Sequence, residues 1–194
     1  MRAVWKGAFF MIELIKKEIH MNRQRGTAVS QLTLDDDFIV PDALDDAVQI
    51  LLSDGEVQIE NSRIQGEKVL IRGKLVFRVL YRRESGGLQA MGGEIPFEET
   101  VNVPELSERD YTQIVWNIED LNITMIHSRK LSAKAVLTLT VRAESRVDAQ
   151  AAADVETDDV GLQVLKRSVP AATLAVRRKD IYRVREEVSV SANK

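Results

Sequence analysis

The side chains able to do chemistry are few, and most are carboxylates. Asp35-Asp36-Asp37 is followed closely by Asp42, Asp45 and Asp46. Such a concentration of oxygen ligands is the raw material of a calcium site. The spacing argues against one. A calcium-binding loop of the EF-hand type needs oxygen ligands at alternate positions and a glycine at the sharp bend. Ile39 stands where the third ligand belongs, and no glycine follows before Asp46. The cluster therefore reads as a solvated turn leading into a helix N-terminus, where carboxylates are favoured by the helix dipole. The only histidines are His20 and His127, and cysteine is absent. That excludes disulfides, thiolate metal sites and cysteine nucleophiles, and leaves no multi-histidine metal centre. His127-Ser128 with Glu119 or Asp120 has the composition of a hydrolase triad. No Gly-x-Ser-x-Gly elbow accompanies it, and His127 falls between two predicted strands, so it reads as a turn histidine. Glu98 and Glu99 are adjacent, and in a strand they point to opposite faces, which is wrong for a paired acid and base. Arg177-Arg178-Lys179, with Lys166-Arg167, is the one basic concentration. It reads as a solvated strand edge rather than a phosphate or peptidoglycan contact. Asn122-Ile123-Thr124 has sequon spacing but lies in a predicted strand. Phe77, Tyr81, Phe97 and Trp116 fall on apolar parities and read as core, which leaves no aromatic platform for sugars or bases. No residue is assigned a catalytic, cofactor-binding or metal-binding role, and exposed β-edges are the expected interaction surface.

The elements that position these residues belong to an ordinary globular chain. Its 194 residues are 44% hydrophobic and 29% charged, which suits one domain, or one domain and part of another. The formal charge of −3 provides no global field for gripping nucleic acid or an anionic membrane. The start, Met1 to Met11, superficially resembles a signal peptide. Glu13 interrupts its apolar run, no small-x-small cleavage site follows, and no stretch is long enough to span a membrane. Residues 1–10 read as an N-terminal extension, with Met11 the natural start.

Period-two alternation dominates the middle of the chain. Val69, Ile71, Gly73, Leu75, Phe77, Val79 and Tyr81 share one parity, and Arg72, Lys74, Arg78 and Arg82 the other. Leu131, Ala133, Ala135, Leu137, Leu139, Val141 and Ala143 form a second such series. Both predict long half-buried strands. A third runs through Ile114, Trp116 and Ile118 and resumes at Leu121, Ile123 and Met125. The parity slip at Glu119-Asp120 predicts a β-bulge or tight turn. Shorter candidates are 13–21, 27–34, 56–61, 88–94 and 100–103. They are separated by turn signals at Asp54-Gly55, Gly86-Gly87, Gly92-Gly93 and Val103-Pro104. This pattern predicts an all-β, mainly antiparallel, sandwich-like fold.

One segment departs from it. Leu44, Ala47, Val48 and Leu51 follow helical spacing, Asp42 suits an N-cap and Gly55 a stop, which predicts one short helix over 42–53. Residues 148–159 are acidic, small and aperiodic, and read as an exposed connection, with β character resuming at 162–164 and 173–176. Ile15-Lys16-Lys17-Glu18-Ile19-His20-Met21 is echoed by Val184-Arg185-Glu186-Glu187-Val188-Ser189-Val190. The echo predicts a second, truncated repeat from 177 to 194, after the N-terminal extension at 1–10, a β domain over 11–147 and a connection with trailing strands over 148–176.

Several ordered motifs resemble the SPOCS domain family of sporulation proteins, of the SipL type. They are Ile12-Glu13-Leu14-Ile15-Lys16-Lys17-Glu18-Ile19, Phe38-Ile39-Val40-Pro41-Asp42, the expected helix Val48-Gln49-Ile50-Leu51, Asp54-Gly55-Glu56-Val57, the long strand Val69 to Tyr81, Glu94-Ile95-Pro96-Phe97-Glu98-Glu99, and the stretch Asn122 to Leu131, with Glu186-Glu187-Val188 and Ser191-Ala192-Asn193-Lys194 resembling the opening of a next copy. The resemblance covers residues 12–147. It implies a non-enzymatic, cofactor-free module of spore coat and cortex assembly, in the mother-cell cytoplasm at the forespore surface. The partners it implies are other spore-envelope proteins, among them the spore morphogenetic ATPase through parts outside this chain, with self-association open. Nucleic acid and a membrane span are not expected. The rival reading is a carbohydrate- or peptidoglycan-binding module of a cell-envelope protein, which an exposed aromatic platform would favour. A further rival is a metal-dependent or hydrolytic enzyme built on His127 and a carboxylate cluster.

Overall fold

The computed structural model describes residues 11–158, 161–178, 182, 184–187 and 189. The extension at 1–10 lies outside them, as do Asp159 of the acidic segment and Lys179, Asp180, Ile181, Arg183, Val188, Val190 and residues 191–194 of the expected second repeat. Among the described residues the chain is all-β, with six strands: β1 (Ile12–Ile39), β2 (Ala47–Gln65), β3 (Lys68–Arg83), β4 (Leu88–Asn102), β5 (Tyr111–His127) and β6 (Lys130–Thr157). They form two three-stranded sheets, ordered β1-β6-β5 and β2-β3-β4. β2 and β4 flank β3 antiparallel, and β5 pairs antiparallel with β6.

The chain divides into two compact units, one spanning Asn22–Arg146 and the other the described residues of Met1–Met21 and Val147–Lys194. The Asn22–Arg146 unit holds the core. The predicted parity of β3 is buried from Val69 to Tyr81, and that of β6 from Leu131 to Ala143. The two central strands supply the facing layers, as expected when one face of each sheet packs on the other. β2 runs beside β5 at one margin, where a Cβ on Gly55 would stand 2.8 Å from Leu121 Cδ2. β1 runs beside β4 at the other, where Ser30 Oγ donates to Glu99 Oε1 at 2.7 Å. Phe77, fully buried, is paired across the ladders with Gly55 on one side and Gly93 on the other. Its ring meets Phe38 edge to face, with centroids 4.7 Å apart.

The other unit holds the first part of β1, to Met21, and the last part of β6, from Val147, with the described residues that follow. His20 Nδ1 lies 2.7 Å from Asp148 Oδ1, and the His20 carbonyl accepts from Leu174 N at 2.7 Å. Lys166 Nζ bonds Asp154 Oδ1 at 2.6 Å.

Four expectations are corrected. Residues 42–53 form no helix: Asp42–Leu44 is a turn, and β2 begins at Ala47. Four apolar residues at helical spacing are outweighed by pairing of Ala47 to Ser53 with Val79 to Arg83, which a helix would forfeit. Asp54-Gly55 and Gly92-Gly93 lie inside β2 and β4, where absent side chains make room for Leu121, Phe77 and Phe38. Gly86-Gly87 does form the β3–β4 hairpin, with φ of 90° and 85° that glycine alone adopts freely. The segment 148–159 is not a bare connection, since β6 runs through it to Thr157. Residues 162–164 and 173–176 carry no strand, and Leu165, Val169 and Val176 are exposed rather than packed on a sheet face.

Candidate functional site

The acidic cluster is brought together with cations, not with a metal. The β5–β6 turn places Arg129 against the loop between β1 and β2. Its Nη1 donates to Asp46 Oδ1 at 2.8 Å and to the Leu44 carbonyl at 3.2 Å. Its Nη2 donates to the carbonyls of Val40 at 3.0 Å and Pro41 at 3.1 Å, and to Asp42 Oδ1 at 3.2 Å. A planar guanidinium is the side chain that can serve so many acceptors in one plane. Ser128 Oγ donates to Asp46 Oδ2 at 2.8 Å, so both oxygens of that carboxylate are engaged. Backbone bonds complete the clasp: Val40 N to the Arg129 carbonyl at 2.9 Å and Ala47 N to the Ser128 carbonyl at 2.8 Å. The hydrogen bond from Arg129, then that from Ser128, holds the Asp46 carboxyl below the usual range, and Asp46 in turn raises the guanidinium.

The remaining aspartates are distributed in the same way. Lys130 Nζ bonds Asp37 Oδ2 at 2.7 Å and Lys134 Nζ bonds Asp35 Oδ2 at 2.9 Å, tying β1 to β6. The bond from Lys130 depresses Asp37, and the bond to Asp35 raises Lys134. Asp45 receives Ser85 Oγ and, at 3.5 Å, Arg83 Nη1 from the far end of β3. The backbone carbonyl of Asp45 accepts from Tyr81 Oη at 3.0 Å. Burial raises that phenol. Among the described residues no group of three or more histidines, aspartates or glutamates is placed to hold a metal ion.

The hydrolase candidates are not brought together. His127 sits at the exposed end of β5, where Nδ1 accepts the Arg129 backbone N–H at 3.2 Å. Glu119 and Asp120 lie seven or eight positions up the same extended strand, roughly 25 Å away at about 3.3 Å per residue. Glu119 is held instead by Asn117 and Thr138, whose hydrogen bonds lower its pKa. The slip in parity there is a bulge, between Ile118 and Asp120, as the sequence pattern predicts. Glu98 and Glu99 part as expected: Arg72 Nε bonds Glu98 at 2.8 Å on the outer face, while Glu99 meets Ser30 toward β1. Phe77, Tyr81 and Phe97 are core, but Trp116 is 38% exposed. It keeps the core-facing register, opposite Leu139, yet β5 is the margin of its sheet and cannot be covered on both sides.

The surface feature that sequence reasoning missed is apolar. From the Ala47–Ser128 bond, β2 and β5 run away side by side as the margins of two different sheets. Within a few residues of that bond they expose Val48, Leu51 and Leu52 on β2 and Met125 and Ile126 on β5. Leu52 is 64% exposed and Ile126 52%. Both strands are bulged here, between Ala47 and Gln49, Ile50 and Leu52, and Met125 and His127. Bulges re-aim side chains that a regular ladder would hold in register. The signal of this apolar group in the sequence was the run Val48-Gln49-Ile50-Leu51-Leu52, which was absorbed by the helical reading.

Neither the curated proteins nor the solved structures contain a match to this chain. A family model does match it: the one described as SipL, SPOCS domain, a non-catalytic sporulation domain. The match covers residues 46–126, which run from Asp46 of the Arg129 clasp through β2, β3 and β4 to Ile126 near the end of β5. The apolar residues exposed on β2 and β5 all fall inside it. That stretch is a SPOCS domain of the SipL family.

Proposed function

We propose that this chain is a structural module in assembly of the spore envelope, working through protein–protein contacts rather than catalysis. The observation that carries this reading is the exposed apolar group on the β2 and β5 margins, inside the span that matches the sporulation domain. Its partners are other spore-envelope proteins, with the spore morphogenetic ATPase met through parts outside this chain, and its place is the mother-cell side of the forespore surface. The Arg129 clasp has a structural part in this reading, because it fixes the loop from which β2 departs.

The test is to follow the fluorescently tagged full-length protein through sporulation in its native host. A shell around the forespore, with photocrosslinkers at Leu51 or Ile126 capturing an envelope protein, is the expected result. Diffuse signal throughout sporulation would overturn the reading. Cosedimentation with purified cortex, with no protein captured at those positions, would replace it by the carbohydrate-binding alternative.

A further inference from the structure

The outer face of the β2-β3-β4 sheet changes character along its length. In the middle of the sheet opposite charges are matched across the ladders, while Arg82, near the Gly86-Gly87 end, stands opposite Gln49 and Leu88. Lys74 Nζ lies 2.6 Å from Glu94 and 3.7 Å from Glu60, and Arg78 is the register partner of Asp54. At the opposite end, beside the Gly66-Glu67 turn, the register sets nine residues in three rows. Asn61, Arg72 and Glu98 form one row, Arg63, Leu70 and Thr100 the next, and Gln65, Lys68 and Asn102 the last. Eight of these side chains are exposed, and the half-buried Leu70 is the floor at the centre. Two shallow hollows meet over Leu70, the larger, of about 610 Å³, lined by Gln65, Lys68, Thr100 and Asn102 among others. The three cations of the grid have two carboxylates near them: Glu98, which Arg72 already holds, and Glu67, which lines the larger hollow and accepts the Glu105 backbone N–H at 2.9 Å. Among the described residues Arg63 and Lys68 have no ion-pair partner. Protection of a sheet edge does not account for Lys68, because β3 is the central strand.

We infer that this grid is a docking face for an acidic peptide segment in extended conformation, with carboxylates at alternate positions. The inference rests on the proposed protein-contact function and names the chemistry of one partner surface. Three features select such a ligand. Rows along a strand repeat at about 6.8 Å, which is also the spacing of alternate side chains on an extended peptide. Arg63 and Lys68, on neighbouring strands one row apart, present the charge that such carboxylates complement. Asn61, Gln65 and Asn102 supply amides able to donate to and accept from a peptide backbone. A polysaccharide fits less well, since no aromatic ring stands in the grid to stack on a sugar.

The test uses the full chain and a labelled twelve-residue peptide of alternating glutamate and threonine, read by fluorescence anisotropy. The expected result is saturable binding at 50 mM NaCl that weakens at least tenfold at 300 mM. The double variant Arg63→Glu, Lys68→Glu, with an unchanged circular dichroism spectrum, lowers affinity at least tenfold, whereas Arg82→Glu on the same sheet leaves it within twofold. Absence of saturable binding overturns the inference, as does an equal loss in Arg82→Glu, which would mean non-specific attraction. Tighter binding of polygalacturonate than of the peptide overturns it in favour of an anionic glycan. Loss of peptide binding with forespore localisation and crosslinking intact sinks the grid alone. Diffuse localisation of a protein that still binds the peptide sinks the proposed function alone.

Discussion

Phe77 is seated over Gly93, its partner across the β3–β4 ladder: a Cβ added to that glycine would stand 2.5 Å from Phe77 Cζ. The same Cβ would lie 2.8 Å from Phe38 Cδ1, so the glycine makes room for the aromatic pair that joins the two sheets. Gly73 does the same for Phe97, its own ladder partner. Neighbours of a Gly93→Ala methyl are stiff rings, with little freedom to retreat. The substitution should cost about 1–3 kcal/mol by overpacking. Phe77→Ala, which empties a fully buried ring site, should cost about 3–5 kcal/mol. Urea denaturation followed by circular dichroism measures both. An unchanged midpoint for Gly93→Ala would show that the rings move aside freely.

Arg129 is a positioning residue for the start of β2, and its fork matters more than its charge. Arg129→Lys keeps a cation near Asp46 but loses the simultaneous bonds to the carbonyls of Val40, Pro41 and Leu44. Hydrogen exchange of the Val40 and Ala47 amides, which bond across the clasp, should speed up in Arg129→Lys and still more in Arg129→Met. Exchange in the middle of β3 should stay slow. If Val40 and Ala47 remain protected in Arg129→Met, the backbone bonds hold the loop unaided.

The depressed carboxylates set an acid limit. Asp46, bonded by Arg129 and Ser128, and Asp37, bonded by Lys130, both titrate below the ordinary value of about 3.9 once folded. A lowered folded-state pKa adds stability that is complete above the unfolded value and is lost as pH falls through the folded one. Stability should therefore be flat above about pH 5 with respect to these groups and decline below about pH 4. Asp46→Asn and Asp37→Asn should each flatten that decline in thermal melts taken from pH 5 to pH 2. An acid limb of unchanged slope in the double variant would assign the loss to other carboxylates.

Leu51 and Ile126 are exposed, so charging them should leave the fold alone while disrupting a contact. Leu51→Asp and Ile126→Asp should each change stability by about 0.5 kcal/mol or less. Both should reduce crosslinking to envelope proteins in sporulating cells. A large fall in melting temperature would mean these side chains stabilise the margin of the fold and do not wait for a partner.

Most of the strand framework was legible because burial on one face imposes a two-residue period on sequence. Val69 to Tyr81 and Leu131 to Ala143 show that period without interruption, and the slip at Glu119-Asp120 marks the β5 bulge. Residues 42–53 were misleading. A twelve-residue window holds local spacing only, while the ladder from Ala47 to Ser53 depends on Val79 to Arg83, far outside that window. Gly55 and Gly93 misled for the same reason. A glycine that terminates a strand and one that yields space to a distant ring are identical in sequence.

By itself the sequence determined the all-β class, the two central strands with their buried parities, the separation of Glu98 from Glu99, and a lack of thiolate or multi-histidine chemistry. These follow from residue type and nearest-neighbour periodicity. Tertiary structure decided which cations meet the aspartates, that Trp116 lies at a margin, that β2 and β5 run side by side with apolar side chains exposed, and that Arg63 and Lys68 flank Leu70 without a carboxylate partner. Each is a contact between residues far apart in the chain. Such contacts arise only when strand order and register are chosen, and that choice is made by the packing of the whole sheet.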